Sequence, residues 1–438
     1  MIDFVSERFS SARMRDAIRE LADRLKKMPR MPKAIARPLV RARRVRLVPD
    51  ASRTIQDSHA RRLLVDISVI FRSDSRTGIQ RVVRAILAQL QNECLNGIVV
   101  QPVVATRKHS YRLATWSPEE AQLGDIVFPA RGDVFLGLDL SAHIIPARLL
   151  EMARWKAAGV RFYFVIYDLL PLENEEWFSA KLVRAFRKWI TAVVILSDGV
   201  FCISRVVENA FRSLLKNEYG MRDGEIASET IPVGAHIADS VPSKGLPDGF
   251  ADVFDKFIGP IVLMVGTVEP RKGHREIFDA FDHLWKIGCR TTLVIVGRPG
   301  WKTEALQSSI RAHPQFEHSL FWFDRASDEA LERLYQGCSG VVVASKGEGL
   351  GLPLLEALSY GKPVLARDLP VFHEIAGEEI SYFEQFTDTE TLARRIDAWL
   401  NTTCKKQTST KDLNFLPLHS WRDSMECMLA KIYNVTSN

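Results

Sequence analysis

Residues 340–358 read GVVVASKGEGLGLPLLEAL. The apolar run at 340–344 is typical of a buried parallel strand. The run is followed by three glycines at alternate positions, Gly347, Gly349 and Gly351. Glycines let the backbone come close to a ligand. Pro353 suits the first position of a helix, so we expect a helix to begin there. A strand, a glycine-rich loop and a helix in this order predict an α/β fold with a ligand at the loop.

Backbone amides near residues 350–352 precede this helix and lack helical acceptors, which favours an anion such as a diphosphate. Glu348 lies on the loop and Glu356 in the first helical turn. Because carboxylates repel phosphate, we interpret them as acceptors for sugar hydroxyls, Glu356 for a ribose and Glu348 for a second sugar. The alternative is that Glu356 only favours the helix dipole and that Glu348 is a surface residue.

A second stretch, GTVEPRKGH at 266–274, follows the apolar run at 261–265. Arg271 and Lys272 stand where cations could neutralise a diphosphate leaving group. The alternative is a solvated basic turn.

Apolar runs and helical segments alternate on both sides of a Pro- and Gly-rich stretch at 241–249. The strand-like runs of the first half are 63–67, 97–100, 134–138, 162–167, 192–196 and 199–203. Those of the second half are 261–265, 292–296, 320–323, 340–344 and 363–366, and residues 77–90, 392–400 and 421–433 look helical. This alternation predicts two doubly wound parallel sheets, in domains at 62–245 and 246–415 that face a cleft. Residues 416–438 are predicted to form a terminal helical segment.

The positive charge is concentrated before these domains. The 438 residues contain 59 Lys and Arg against 53 Asp and Glu, whereas residues 1–62 contain 17 against 7. Apolar residues at helical spacing, Met14, Ile18, Leu21, Leu25 and Met28, predict a basic amphipathic helix within an extension at 1–61. We interpret residues 1–50 as a surface for anionic membranes, and the alternative is a helix docked on the protein. Nucleic acid is not an expected partner, since no aromatic platform accompanies the charge.

The composition is that of an ordinary globular protein, with 46% hydrophobic and 26% charged residues. Six scattered cysteines show no zinc spacing and favour a reducing compartment. The sequence shows no apolar run of membrane-spanning length and no signal peptide at its first residues. We therefore expect a cytoplasmic protein, and the basic extension adds the expectation that it binds peripherally to a membrane surface.

These stretches together resemble the retaining GT-B glycosyltransferases often called family 4 or group 1. Glu348 and Glu356 match the family's E-x7-E element, and GTVEPRKGH matches its basic element. Residues 293–301, 328–345 and 359–377 are similar to the family's C-terminal domain, and 419–433 to the helix that packs back on its first domain. The resemblance extends over about residues 62–435 and is weaker in the first half.

The resemblance implies that the C-terminal domain binds a nucleotide-sugar donor. Lys272 would bind the diphosphate, Glu348 the transferred sugar and Glu356 the ribose. The backbone amides of Gly349, Leu350, Gly351 and Leu352 would hold the phosphate and the sugar. Many members have an arginine after the glycine of the basic element, where this chain has Thr267. Arg271 is then expected to supply the second charge, as in the EPRK branch of the family.

In the N-terminal domain, which usually holds the acceptor, Gly78 resembles the glycine that approaches the diphosphate. Members often carry a His-Asp pair after a middle strand, and this chain reads Tyr167-Asp168. A tyrosine is a poor base near neutral pH. Asp168 is therefore expected to orient the acceptor hydroxyl or take its proton, and the alternative is an Asp that only forms a turn.

The implied activity is sugar transfer with retention to a glycan or lipid-linked saccharide in bacterial surface polysaccharide synthesis. EPRK-type members often use GDP-mannose or deoxyhexose donors, which favours a donor of that kind. No metal or cofactor is expected, because no Asp-x-Asp occurs in the chain. Two alternatives stay open, a non-catalytic nucleotide-sugar-binding scaffold subunit and a GT-B epimerase.

Overall fold

The structure, a computed structural model, describes residues 60–93, 97–117, 120–237, 245–246, 250–405 and 418–433. The chain divides into two compact units, of which the second comprises Pro232–Ser424 and the first comprises the residues before and after it. The predicted basic helix and its membrane surface lie outside the described residues.

The first unit contains an eight-stranded sheet in the order β4-β3-β2-β1-β5-β6-β7-β8. Its strands are β1 (Arg61–Asp66), β2 (Ile98–Val104), β3 (Arg112–Trp116), β4 (Ala121–Ile126), β5 (Val134–Gly137), β6 (Arg161–Ile166), β7 (Gly199–Cys202) and β8 (Ala227–Thr230). Its helices are α1 (Gly78–Asn92), α2 (Ile145–Ala157), α3 (Leu170–Glu173), α4 (Ala180–Leu196) and α5 (Arg205–Tyr219). Six strands run parallel, whereas β3 and β4 add an antiparallel edge that the sequence did not predict.

The second unit contains a six-stranded parallel sheet in the order β11-β10-β9-β12-β13-β14. Its strands are β9 (Ile261–Val265), β10 (Thr292–Val296), β11 (Leu320–Phe323), β12 (Gly340–Val343), β13 (Val364–Arg367) and β14 (Ser381–Phe383). Its helices are α6 (His274–Lys286), α7 (Glu304–Arg311), α8 (Asp328–Gly337), α9 (Leu352–Ser359), α10 (Pro370–Ala376) and α11 (Thr389–Lys405). The last helix of the described residues, α12 (Trp421–Tyr433), begins in this unit and ends in the first.

The order of the second sheet reverses between β9 and β12, which pair directly. From β9 to β11 each new strand is added on one side of β9, and from β12 to β14 each new strand is added on the other side. The loops after β9 and β12 therefore leave the same edge of the sheet in opposite directions and open a crevice where ligands bind in folds of this kind. Both stretches singled out in the sequence are these two loops.

One predicted strand is wrong. Residues 192–196 are the last turn and a half of α4, which Ser179 caps by accepting a hydrogen bond from Leu182 N. Every residue from Trp189 to Leu196 is buried. A helix end that is buried on all sides has no polar face, so its sequence reads as a continuous apolar run, like a buried strand.

The predicted domain limits at 245/246 and 415/416 differ from the observed division, which falls at 231/232 and 424/425. Ala235 N donates to His419 O at 3.3 Å, and Trp421 Nε1 donates to His236 O at 3.1 Å. These contacts bind residues 232–237 to the segment before α12 within the second unit. The rest of α12 packs on the first unit, where Arg161 donates to Ile432 O at 2.8 Å.

Among the described helices, none combines the length and the apolar character needed to cross a bilayer.

Candidate active site

The loops after β9 and β12 are fixed to each other by their backbones. Lys346 N donates to Arg271 O at 2.7 Å. Gly273 has a φ of 74°, and a Cβ there would lie 2.2 Å from Ala344 O. Only glycine fits this position, because both the backbone conformation and the space exclude a side chain. The turn Pro270–Lys272 is thus held against the end of β12.

Glu348 accepts hydrogen bonds from both predicted cations. Its Oε1 accepts from Lys272 Nζ and, at 2.6 Å, from Ser345 Oγ, and its Oε2 accepts from Arg271 Nη1 at 3.0 Å. Burial alone would raise the pKa of Glu348, but the charges of Lys272 and Arg271 lower it to about 2. Glu348 is therefore an ionised carboxylate with only 9% of its side chain exposed, which contradicts its interpretation as a surface residue.

Glu269 is a member of this cluster that the sequence did not reveal. Its Oε1 lies 2.7 Å from Arg271 Nε, and its side chain is 4% exposed. Burial raises the pKa of Glu269, and the charges of Arg271 and Lys272 oppose that rise. Arg271 is held by two carboxylates and by Gly347 O at 3.1 Å. The side chains of Arg271 and Lys272 are 17% and 13% exposed, so the pair is not a solvated basic turn.

Helix α9 presents the rest of the predicted donor site. It begins at Leu352, so Pro353 occupies its second position rather than the predicted first. Gly351 has a φ of 105°, and a Cβ there would lie 2.5 Å from the Phe372 ring. Gly349, Leu350 and Gly351 precede the helix and Leu352 is its first residue, so the amides that the sequence assigned to the phosphate and the sugar lie in the loop and at the helix start.

Glu356 is the fifth residue of α9 and is 2% exposed. Its Oε2 accepts a hydrogen bond from Tyr335 Oη at 2.8 Å. As the fifth residue, Glu356 lies just beyond the first turn in which the sequence placed it, and the helix dipole acts mainly within that turn. Its hydrogen bond from Tyr335 gives it a defined partner besides the dipole. The sequence did not reveal Tyr335, because α8 and α9 lie 14 residues apart in the chain and only the fold brings them together.

The site residues that the sequence predicted in the first unit lie at or near the ends of its strands and helices. Gly78 is the exposed first residue of α1, which a capping box between Thr77 and Gln80 begins. Tyr167 is buried, and its hydroxyl donates to Leu138 O at 2.6 Å. Burial, with the charge of Asp139, raises the pKa of Tyr167 well above 10, so this hydroxyl keeps its proton. Asp168 is half-buried and accepts from Leu170 N at 3.2 Å, the hydrogen bond of a turn.

Two buried carboxylates that the sequence did not reveal are Asp66, the last residue of β1, and Asp139, which follows β5. Asp66 Oδ1 accepts from Ser68 N at 3.0 Å, and Asp139 Oδ2 accepts from Val69 N and Ile70 N at 2.8 and 2.7 Å. Burial raises their pKa values, to about 6 for Asp66 and about 7 for Asp139. They anchor the loop that leads from β1 towards α1.

Comparison with known proteins gives this site its family. Residues 257–412 match the family described as Glycosyl transferases group 1. This segment is a group 1 glycosyl transferase domain. The match includes Arg271, Lys272, Glu348 and Glu356, and it confirms the resemblance inferred from the two stretches.

Two relatives of the chain are named as mannosyltransferases of Escherichia coli. The chain is 35% identical to the serotype-specific mannosyltransferase WbdA over an alignment of 385 residues. This alignment covers 85% of the chain and 46% of WbdA. It is 32% identical to O-antigen chain mannosyltransferase B over an alignment of 117 residues. That alignment covers 26% of this chain and 30% of the relative. The chain thus spans less than half the length of the WbdA proteins that it matches.

Solved structures share the fold at low identity. An α,α-trehalose-phosphate synthase (UDP-forming) from Burkholderia vietnamiensis superposes with a TM-score of 0.59 and 13% identity, over 86% of this chain and all of that one. The likeness confirms the predicted GT-B fold.

Proposed function

We propose that this chain is a glycosyltransferase that moves a sugar from a nucleotide-sugar donor to a glycan or lipid-linked saccharide in bacterial surface polysaccharide synthesis. The observation that carries the proposal is the ion-pair cluster of Arg271, Lys272, Glu348 and Glu269 at the reversal point of the second sheet, whose side chains are at most 17% exposed. The group 1 family match and the similarity to named mannosyltransferases support it.

The donor diphosphate is proposed to bind Lys272, Arg271 and the amides from Gly349 to Leu352. These donors would stabilise the charge that develops on the leaving group. Lys272 donates to Glu348, so a bound diphosphate would compete with this carboxylate for the ammonium. The freed Glu348 oxygen would then accept a hydroxyl of the transferred sugar, while Glu356 accepts the ribose.

Transfer is proposed to retain the anomeric configuration and to need neither metal nor cofactor. The acceptor hydroxyl would attack the face that the phosphate leaves, and the departing phosphate would take the proton. Asp168 would orient the acceptor, and Gly78 would approach the diphosphate. Tyr167 cannot act as the base, since its hydroxyl is buried and bound to Leu138 O.

The donor is proposed to be a mannose nucleotide, with GDP as the nucleotide. Relatives named as mannosyltransferases and the EPRK sequence at 269–272 support this choice. The enzyme is proposed to act in the cytoplasm, at the inner face of the membrane, with residues 1–50 on anionic lipid.

The test is incubation of the full chain with GDP-mannose, UDP-glucose and ADP-glucose, each with a mannose oligosaccharide acceptor. Product detection by mass spectrometry and anomeric configuration by NMR should show an α-linked mannose from GDP-mannose. The matched variants are Lys272→Ala and Lys286→Ala, since Lys286 is 70% exposed on α6 and remote from the cluster. Tight nucleotide binding with no transfer to any acceptor would favour the non-catalytic scaffold subunit, and rearrangement of the sugar without transfer would favour an epimerase.

A further inference from the structure

Tyr335 is a fully buried residue of α8 whose hydroxyl meets a proposed donor-binding carboxylate. The hydroxyl donates to Glu356 Oε2 at 2.8 Å and lies 3.4 Å from Pro353 O. Both acceptors belong to α9. One phenol therefore joins α8 to the helix that carries Glu356.

The ring of Tyr335 is also held in orientation. It stacks on Tyr360, with ring centroids 5.5 Å apart and an angle of 7° between the planes. Tyr360 directly follows α9 and donates its backbone N–H to Glu356 O at 3.2 Å. The same turn of chain thus positions both the carboxylate and the ring that binds it.

A glutamate carboxylate has no strong torsional preference of its own, because its terminal torsion is broad. A hydrogen bond from a fixed donor to one oxygen restricts the rotation of the group and thereby the directions open to the other oxygen. Recognition of two vicinal hydroxyls by one carboxylate needs this restriction, since both hydroxyls have fixed positions on a ribose ring.

We propose that Tyr335 is a positioning residue that orients Glu356 towards the ribose, and that this contact sets the preference for ribonucleotides over 2′-deoxyribonucleotides. The inference rests on the proposed role of Glu356 in binding the donor ribose. It extends that role by naming the side chain that determines the selectivity of the site.

The test is calorimetric titration of the full chain with GDP, UDP and ADP and with their 2′-deoxy forms. Tyr335→Phe removes the hydroxyl and keeps the ring that stacks on Tyr360. We expect it to weaken binding of the preferred ribonucleotide about tenfold and to weaken binding of the 2′-deoxy form, which keeps only the 3′-hydroxyl, much less. Tyr382→Phe is the matched control, because the Tyr382 hydroxyl donates to Gly377 O at 2.6 Å in the same unit and does not contact Glu356.

A double-variant cycle separates positioning from general structure. If Tyr335 acts through Glu356, Tyr335→Phe should have no further effect on the ribose preference in a Glu356→Gln background. Tyr360→Leu, which removes the stacking partner and keeps the Tyr335 hydroxyl, should lower the preference in the same direction. This second variant also provides the test should Tyr335→Phe not fold.

An unchanged ribose preference in Tyr335→Phe would overturn the inference and leave the proposed donor site intact. Equal weakening towards ribo- and deoxynucleotides would overturn it as well, since that pattern indicates a structural role alone. Failure of the wild-type chain to bind any nucleoside diphosphate would instead refute the proposed function, and the inference with it.

Discussion

Arg271 Nε lies 2.7 Å from Glu269 Oε1, inside the second unit, where only 4% of the Glu269 side chain is exposed. Glu269 thus holds the guanidinium of Arg271 in place while Arg271 Nη1 donates to Glu348 Oε2 at 3.0 Å. Two cations and two carboxylates thus neutralise one another where a charged ligand is proposed to bind. This arrangement makes the cluster sensitive to the loss of any one member.

Glu269→Ala is expected to lower the free energy of unfolding by about 2–3 kcal/mol, because it leaves a largely buried guanidinium without one of its two carboxylates. Chemical denaturation of the purified variant measures this. Glu276→Ala is the control, since Glu276 pairs with Lys346 at side-chain exposures of 30% and 38%, and such pairs contribute little. Equal stability of the two variants would show that the pair of Glu269 and Arg271 contributes no more to the free energy of unfolding than an exposed pair does.

Glu348→Gln is expected to reduce the turnover of sugar transfer by at least a hundredfold, because an amide can neither pair with Lys272 nor accept sugar hydroxyls as a carboxylate does. Steady-state kinetics with the preferred donor measures the loss. Glu379→Gln, at an exposed position after α10, should leave turnover unchanged. Retention of wild-type turnover by Glu348→Gln would remove this residue from the proposed mechanism.

His274 gives a pH-dependent prediction. Burial, with the charge of Lys272, lowers its pKa from 6.5 to about 3. Below pH 6.5 the unfolded chain binds a proton that the folded chain does not, so this group's contribution makes stability fall as the pH falls from 6.5 towards 3. His274→Gln should therefore show a smaller loss of stability than the wild type between pH 6.5 and pH 4.5.

The difference between variant and wild type is the quantity to measure by denaturation at each pH. Asp66 and Asp139 have raised pKa values, so their contributions change in the opposite direction over part of this range. His318→Gln, at an exposed position, is the control and should follow the wild type. Parallel curves for His274→Gln and the wild type would mean that His274 does not stay neutral in the fold.

Deletion of residues 1–60 tests the proposed membrane surface. At low salt the full chain is expected to pellet with vesicles that contain anionic lipid, and the truncated chain is expected to stay in the supernatant, because the deletion removes the excess of basic residues. Vesicles of neutral lipid are the control for both. Equal pelleting of the truncated chain would show that the surface lies elsewhere.

The second sheet was largely predictable because its strands are buried on both faces. The runs at 261–265, 292–296 and 320–323 are continuous in Val, Ile, Leu, Met, Phe and Trp apart from one threonine, and all three are strands. Strand β14 has three residues and β4 is exposed along its whole length, so neither leaves an apolar run in the sequence. The run at 192–196 was wrongly predicted as a strand because it is apolar without being one. It is the fully buried end of a helix, which has the same composition as a buried strand.

The site shows a similar division. Arg271, Lys272, Glu348 and Glu356 were found because each belongs to a short stretch whose spacing is visible in the sequence. Glu269 stands beside Arg271 in that stretch, but nothing in the sequence shows that its side chain turns back onto the guanidinium. Tyr335 and Asp139 act through partners that only the fold brings near, so the sequence did not indicate their contacts. Asp66 binds Ser68 two residues away, but nothing in the sequence shows that both are buried.

The most direct test of the central claim is nucleotide binding by the wild-type chain and by Lys272→Ala, with Lys286→Ala as control. Thermal unfolding with GDP, UDP, dTDP and ADP measures it, since a ligand at 100 times its Kd adds about 2.7 kcal/mol of stability. We predict a rise of several degrees in Tm with GDP for the wild type and the control, and little or none for Lys272→Ala. No rise with any of the four nucleotides in the wild type would contradict the proposal that this cluster binds a nucleotide-sugar donor.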